Sequence, residues 1–258
     1  LTWSALVLAG SRGQADPVAQ VASVRHKAFA PIHGKPMIAY VLEALEQVEI
    51  LETIAVSIEP DAASLPKGVM RLDAAPSPSA SVLQAMANLP LPILVTTADN
   101  PLLTPDIVAY FLHEAGNSGC DVVAGVATRQ TVEAAGSTAR RTYMTFSDGA
   151  ISGCNLFALA TEQSRRAVVF WQRLEALRKS PLAMARTLGL GTLLRYRIGA
   201  LSRDAAVMAL ARKASCRAGL VNLPFPDAAH DVDKPEDLAF VTARLATPHD
   251  PSKPQDRP

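Results

Sequence analysis

Three groups of residues carry the types and spacing that chemistry on an anionic ligand would need. The run Leu8-Ala9-Gly10-Ser11-Arg12-Gly13 follows directly on the apolar stretch at residues 3–9. Glycines at the carboxyl end of a buried strand let backbone N–H groups approach an anion with no Cβ in the way, and a phosphate chain is the usual anion. A tight strand-exit turn would look the same. The run Thr96-Thr97-Ala98-Asp99-Asn100-Pro101-Leu102-Leu103 closes a second apolar stretch. A carboxylate at the carboxyl end of a central parallel strand faces the ligand crevice. An acid so placed can hold Mg²⁺, which binds through one or two carboxylates plus substrate phosphates. A third run, His230-Asp231-Val232-Asp233-Lys234-Pro235-Glu236-Asp237-Leu238, offers further carboxylates ahead of a helix start. Pro235 suits the first turn of that helix, and Glu236 and Asp237 suit its dipole.

These residues need a scaffold, and the first half of the chain reads as one. Residues 3–9, 53–58, 93–97 and 121–127 are short apolar, β-branched runs of the kind buried on both faces of a sheet. Helical spacing occupies 37–48, 79–89 and 106–114, the last after a Thr104-Pro105 start signal. Strands alternating with helices at this spacing imply a largely parallel α/β sheet. Further on, 141–147 and 151–159 flank Asp148-Gly149 as a hairpin. Residues 161–215 form basic helices broken at Gly189–Gly191 and Gly199, 218–223 a strand, and 235–245 a closing helix. The tail at 247–258 is Pro-rich and polar, and is expected to be disordered.

The glycine turn followed by His26-Lys27-Ala28-Phe29-Ala30-Pro31-Ile32-His33-Gly34-Lys35-Pro36-Met37-Ile38 resembles the signature of a nucleotidyltransferase family with an alanine/glycine-rich first loop. That family includes the molybdenum-cofactor guanylyl- and cytidylyltransferases and the sugar-phosphate and alditol-phosphate nucleotidyltransferases. The chain departs from its pattern in three ways: Ser11 replaces the second glycine, Arg12 comes early, and 14–25 is longer. The resemblance extends over 3–160 and 219–245 and leaves out 161–217.

The resemblance implies a Rossmann-like three-layer α/β/α fold of the GT-A-like nucleotide-diphospho-sugar transferase type, with a mostly parallel sheet and a helical insert. It implies one domain over 1–246. It assigns Arg12 and Lys27 to the triphosphate. Leu8, Ala9, Gly10, Ser11, Gly13, Ser79, Ser81 and Thr97 are assigned to the nucleotide, and Asp99 to a metal with Asp233 or Asp231 as the second carboxylate. Taken as an extended segment, Asp231 and Asp233 are assigned to opposite faces, so that one at a time faces the metal, with Asp233 preferred. The element Ser152-Gly153-Cys154-Asn155-Leu156-Phe157 resembles the strand under the acceptor, with Gly153 and Asn155 as contacts; an ordinary hairpin strand is the other reading. The implied reaction is Mg²⁺-dependent transfer from an NTP, CTP by mild preference, to a phosphorylated small-molecule or lipid-precursor acceptor, with release of pyrophosphate. Two rival classes remain: a glycosyltransferase of the same fold using a nucleotide sugar, and a non-catalytic nucleotide-binding protein.

Composition bounds the rest. The chain has 258 residues, 49% of them hydrophobic and 19% charged, which excludes a disordered chain or a disulfide miniprotein. Net charge of +1 and 5% aromatics argue against a nucleic-acid partner. No apolar run approaches the ~18 residues of a membrane span. With a core strand expected from Trp3, no signal peptide is expected ahead of it, and with three cysteines lacking metal or redox spacing a cytoplasmic location is expected. The neutral total hides an asymmetry. Residues 161–220 hold twelve Arg/Lys against three Asp/Glu, a balance of +9, while the remainder holds thirteen against twenty-one, or −8. The insert at 161–217 is expected to be a helical subdomain whose basic face is solvated, meets anionic lipid, clamps a polyphosphorylated acceptor or forms an oligomer contact.

Overall fold

The computed structural model describes residues 1–11, 16–136 and 142–246. These residues form an eight-stranded, mostly parallel sheet with helices on both faces. Its strands are β1 (Trp3–Leu8), β4 (Leu51–Ile58), β5 (Met70–Asp73), β6 (Ile93–Thr97), β7 (Val122–Thr128), β8 (Met144–Phe146), β9 (Gly149–Leu159) and β10 (Ala218–Asn222). The order across the sheet is β10-β7-β9-β6-β1-β4-β5, with β8 paired to β9. β9 runs antiparallel to both β6 and β7. A separate two-stranded ribbon joins β2 (Pro31–Ile32) to β3 (Lys35–Pro36).

The continuous apolar runs follow from the layering. In β1, Ala5 and Val7 point into the core under α2 (Met37–Glu46) and α4 (Pro105–Asn117). Leu6, between them, points into the opposite layer with Val82 and Ala85 of α3 (Pro78–Ala85) and Val168 of α6 (Ser164–Ala176). A strand covered on both faces has no polar side to show.

β1 is the point where the chain reverses direction across the sheet. β4 and β5 lie to one side of it, and β6 to the other. Leu8 at the end of β1 is in register with Thr97 at the end of β6. Ligands in open α/β sheets bind in the crevice outside the carboxyl ends of the strands, at such a switch point. The glycine turn and Asp99 both leave the sheet there.

Besides the β2–β3 ribbon and the 3₁₀ turns, three short elements have no counterpart in the sequence pattern. These are α1 (Pro17–Val21), α5 (Arg129–Glu133) and edge strand β5. Each is too short to register a period. α1 is set by its cap: the Asp16 carboxylate accepts from the amides of Val18 and Ala19, ahead of Pro17. The helix expected over 79–89 runs over Pro78–Ala85, started by the Ser77 cap. After α6 come α7 (Pro181–Leu188), α8 (Leu190–Arg197) and α9 (Arg203–Ala214), broken at the glycines the sequence marks. The chain closes on α10 (Pro235–Ala246). Residues 247–258 lie outside the described residues.

Candidate active site

Lys27 begins a single 3₁₀ turn, Lys27–Phe29, whose Ala28 and Phe29 join the main core, while Ala30 directly after it joins a second cluster with Val18, Ile32, Met37, Leu102, Val232 and Val241. That cluster draws in α1, α2 and α10, so the lysine stem rises from a fixed base. Its ammonium has three acceptors: Asp99 Oδ2 at 2.6 Å, the Val232 carbonyl at 2.9 Å and Asp233 Oδ1 at 3.3 Å. Burial acts to lower the lysine pKa, but the charges of Asp99 and Asp233 outweigh it, and the ammonium is held above its ordinary value. Lys27 is therefore cationic throughout the physiological range.

Asp99 is oriented at both oxygens. Oδ2 takes the Lys27 bond, and Oδ1 accepts from the Thr97 hydroxyl at 2.5 Å. Its carbonyl accepts from the Val232 amide at 2.8 Å. Next to it, the buried Asn100 side chain donates to the Ala228 carbonyl at 3.0 Å. The end of β6 is thus stitched to the segment before α10. Asp237 completes that segment: its carboxylate accepts from the amides of Asp233 and Lys234, closing the first turn of α10.

Asp231 and Asp233 do not divide as the sequence reading has it. In an extended segment residues two apart share a face, and the residue between takes the other. Val232 takes the buried side, in the cluster under Lys27. Asp233 reaches Lys27, and Asp231 acts electrostatically on the Cys154 thiol. Asp231 is half-buried and Asp233 exposed, so the two carboxylates meet different surroundings.

Asp99 and Asp233 supply hard oxygen donors converging on one cation, the Lys27 ammonium. That donor chemistry fits Mg²⁺, which takes one or two carboxylates and completes its shell with water and phosphate oxygens. No cluster of three His, Cys, Asp or Glu stands among the described residues. The arrangement therefore suits a metal that arrives with phosphates rather than a closed protein cage.

On the other side of the switch point, the Ser11 amide donates to Glu59 Oε1 at 2.5 Å. The second oxygen of Glu59 lies 3.5 Å from Nδ1 of the buried His26 ring. The glycine turn thus already presents N–H to an anion, here an internal carboxylate. A Cβ on Gly10 would come within 3.8 Å of that carboxylate and 3.5 Å of Ala74. Sequence reasoning missed Glu59 and His26, although Glu59 follows the strand at 53–58 and His26 precedes Lys27. Arg12 and Gly13 lie outside the described residues.

The serine loop is shaped from within. Ser81 Oγ accepts from the Ala75 amide at 3.0 Å, and Ser79, fully buried, donates to Glu175 of α6. Both hydroxyls thus have partners in the protein. Glu175 was also missed: it belongs to the insert and lies 96 residues from Ser79.

β9 bulges between the pairings Val126–Gly153 and Ala124–Phe157. Asn155 sits there at φ +50°, a left-handed conformation that asparagine tolerates better than most residues. Gly153 is exposed, with open space where a Cβ would stand. Cys154 points inward, and its thiol is pushed up to about 12, by burial first and by Asp231 second. That leaves it a packed core residue rather than a nucleophile.

Comparison with known proteins bears on the family and the fold. The chain resembles a hypothetical transferase from Thermus thermophilus, with 31% identity over 92% of this chain and 100% of that one, at a TM-score of 0.80. A 2-C-methyl-D-erythritol 4-phosphate cytidylyltransferase, also from Thermus thermophilus, shares the fold at 17% identity, covering 96% and 100% of the two chains, with a TM-score of 0.54. A CMP:2-keto-3-deoxy-manno-octonic acid synthetase bound to CTP does so at 14% identity, covering 95% and 98%, again at 0.54. No curated protein sequence matches. The model of the MobA-like NTP transferase domain matches residues 5–214. With that match spanning most of the chain, and with Lys27 paired to Asp99 at the end of β6, the chain belongs to the MobA-like NTP transferase domain family and is a nucleotidyltransferase.

Proposed function

We propose that the chain transfers a nucleotidyl group from an NTP, with CTP preferred, to a phosphorylated small-molecule or lipid-precursor acceptor in a Mg²⁺-dependent reaction that releases pyrophosphate. The observation that carries this reading is the Lys27 ammonium held between Asp99 and Asp233 at the carboxyl ends of β1 and β6. The CTP preference draws support from the ending motif and from structural relatives whose names specify cytidylyl transfer or CTP.

In this reaction an acceptor phosphate oxygen attacks the α-phosphorus in line. The bond from the α-phosphorus to the bridging oxygen breaks, and pyrophosphate leaves with the electron pair. A phosphate is already a competent nucleophile, so the protein needs no general base. Catalysis rests on positioning and charge neutralisation. Asp99 and Asp233 would hold Mg²⁺, which when bound offsets charge on the triphosphate. Thr97 fixes the Asp99 carboxylate for that task. Lys27 stabilises the departing pyrophosphate. Its three N–H donors are all engaged, and the longest bond, to the exposed Asp233, is the one a phosphate oxygen can replace. Arg12, Gly13 and the Leu8–Ser11 backbone complete the phosphate cradle. Ser79 and Ser81 hold the loop against the nucleoside, and Gly153 and Asn155 face the acceptor.

No helix among the described residues is long and apolar enough to cross a membrane. Free Cys120, Cys154 and Cys216 support a reducing, cytoplasmic setting. The test is product analysis with each NTP, Mg²⁺ and a panel of sugar and alditol phosphates. Acceptor-dependent pyrophosphate supports the proposal. Turnover of a nucleotide sugar with release of a nucleoside diphosphate would replace it with the glycosyltransferase reading.

A further inference from the structure

Helix α8 turns a row of apolar side chains to solvent. Leu190, Leu194 and Ile198 are 64%, 63% and 66% exposed. At about 100° per residue they fall within one sector of the helix, with Arg197 at one edge of that sector and Arg195 on its other flank. The opposite side faces the protein: the Tyr196 ring meets Phe146 of β8 edge-on, 5.5 Å between centroids. The row is therefore the outer face of an anchored helix. Neither α7 nor α8 contributes a fully buried residue, and Leu182 of α7 is 62% exposed as well.

We infer that this face is a docking surface for an anionic lipid bilayer. Its two chemistries point to that occupant together. Leucine and isoleucine side chains lose water at the boundary between headgroups and acyl chains, while arginines beside them meet lipid phosphates. The surrounding segment, 161–220, carries twelve basic residues against three acidic, which draws the protein toward negative surface potential. A second copy of the same face would set Arg195 and Arg197 against their own counterparts, a like-charge arrangement. A polyphosphate ligand would use the arginines and leave the leucines in water. With eight residues, α8 lies on a bilayer and does not enter it as a span. This inference is independent of the transfer reaction.

The test is vesicle flotation of the full chain with phosphatidylcholine alone and with phosphatidylglycerol added. The protein is expected to float with the anionic vesicles only, and less well as salt is raised. Arg195→Gln with Arg197→Gln should weaken binding about five-fold for each charge removed. Leu190→Glu with Leu194→Glu should abolish it, with the far-UV circular dichroism of the free protein unchanged. If the leucine pair misfolds, the arginine pair and the salt titration still decide the matter. Absence of flotation with anionic vesicles, or equal flotation of wild type and the arginine pair, would overturn the inference. So would concentration-dependent dimerisation lost in Leu190→Glu, which would make the face a self-association surface.

Discussion

The Lys27 ammonium and the Asp99 carboxylate meet at 2.6 Å although 72 residues separate them in the chain. One rises from a 3₁₀ turn after the first strand, the other leaves the end of β6, and they converge where the strand order reverses. This pairing ties the site to the topology. Any change that breaks it acts on charge at the reacting centre rather than on the sheet.

Lys27→Ala is expected to lower kcat by at least 10²–10³-fold, the scale for losing one preorganised group at a developing charge. Asp99→Ala is expected to abolish turnover. Thermal melts and far-UV circular dichroism should show both variants folded, since the cluster beneath Lys27 is apolar and stays intact. Wild-type turnover in either purified variant would remove it from the assigned role.

Asp233→Asn and Asp231→Asn should separate. Asp233 shares Lys27 with Asp99, so its loss should raise the Mg²⁺ concentration for half-maximal activity. Asp231 faces Cys154 and should have the smaller effect on that titration. A larger shift for Asp231→Asn would exchange the two assignments.

The contact between Ser79 and Glu175 ties the insert to the serine loop, which the proposed function sets against the nucleotide. Glu175→Ala is expected to raise KM for the NTP several-fold with a smaller effect on kcat. Combined with Ser79→Ala it should add little, since both remove the same bond. Additive effects would show that the two side chains act separately.

Acid stability carries a mark of Asp121. Its hydrogen bond from Arg217 is the largest influence on its carboxyl group and, despite opposing burial, its pKa falls from 3.8 to about 2. A folded-state value below the unfolded one means the contribution is fully present above pH 3.8 and is lost as pH falls through about 2. Urea unfolding at neutral pH and down that window should show the loss in wild type and a flatter profile in Asp121→Asn.

Gly125 lies at the irregularity in the β7–β9 pairing. A Cβ there would stand 3.2 Å from Leu156 Cβ and from Leu223 Cδ1, so Gly125→Ala overpacks the core. The expected cost is about 1–3 kcal/mol. At roughly 2–4 °C per kcal/mol for a chain of this size, calorimetry should resolve the fall in Tm.

What the sequence disclosed divides along physical lines. β1 and β6 were legible because a strand buried on both faces leaves an unbroken apolar run, and Asp99 because it follows such a run at once. Lys27 needed the motif around it, since a single lysine before a proline-rich turn has no periodic signal. Glu59, Glu175 and Asn100 left no trace in local pattern. Each is a polar residue whose role comes from a partner 48, 96 or 128 residues away, which only the folded chain brings near. The sequence marks Asp237 as a dipole partner for the closing helix. The structure adds its bonds to the amides of Asp233 and Lys234, which set the segment carrying the second carboxylate.

The most direct measurement is thermal stabilisation of the wild-type chain and of Asp99→Ala by each of the four NTPs, with Mg²⁺ and with EDTA. A metal-dependent site made by Asp99, Asp233 and the glycine turn requires a Tm rise in wild type, largest with CTP, that EDTA removes and Asp99→Ala lacks. An equal rise with EDTA present, an equal rise in Asp99→Ala, or no rise with any NTP would contradict it.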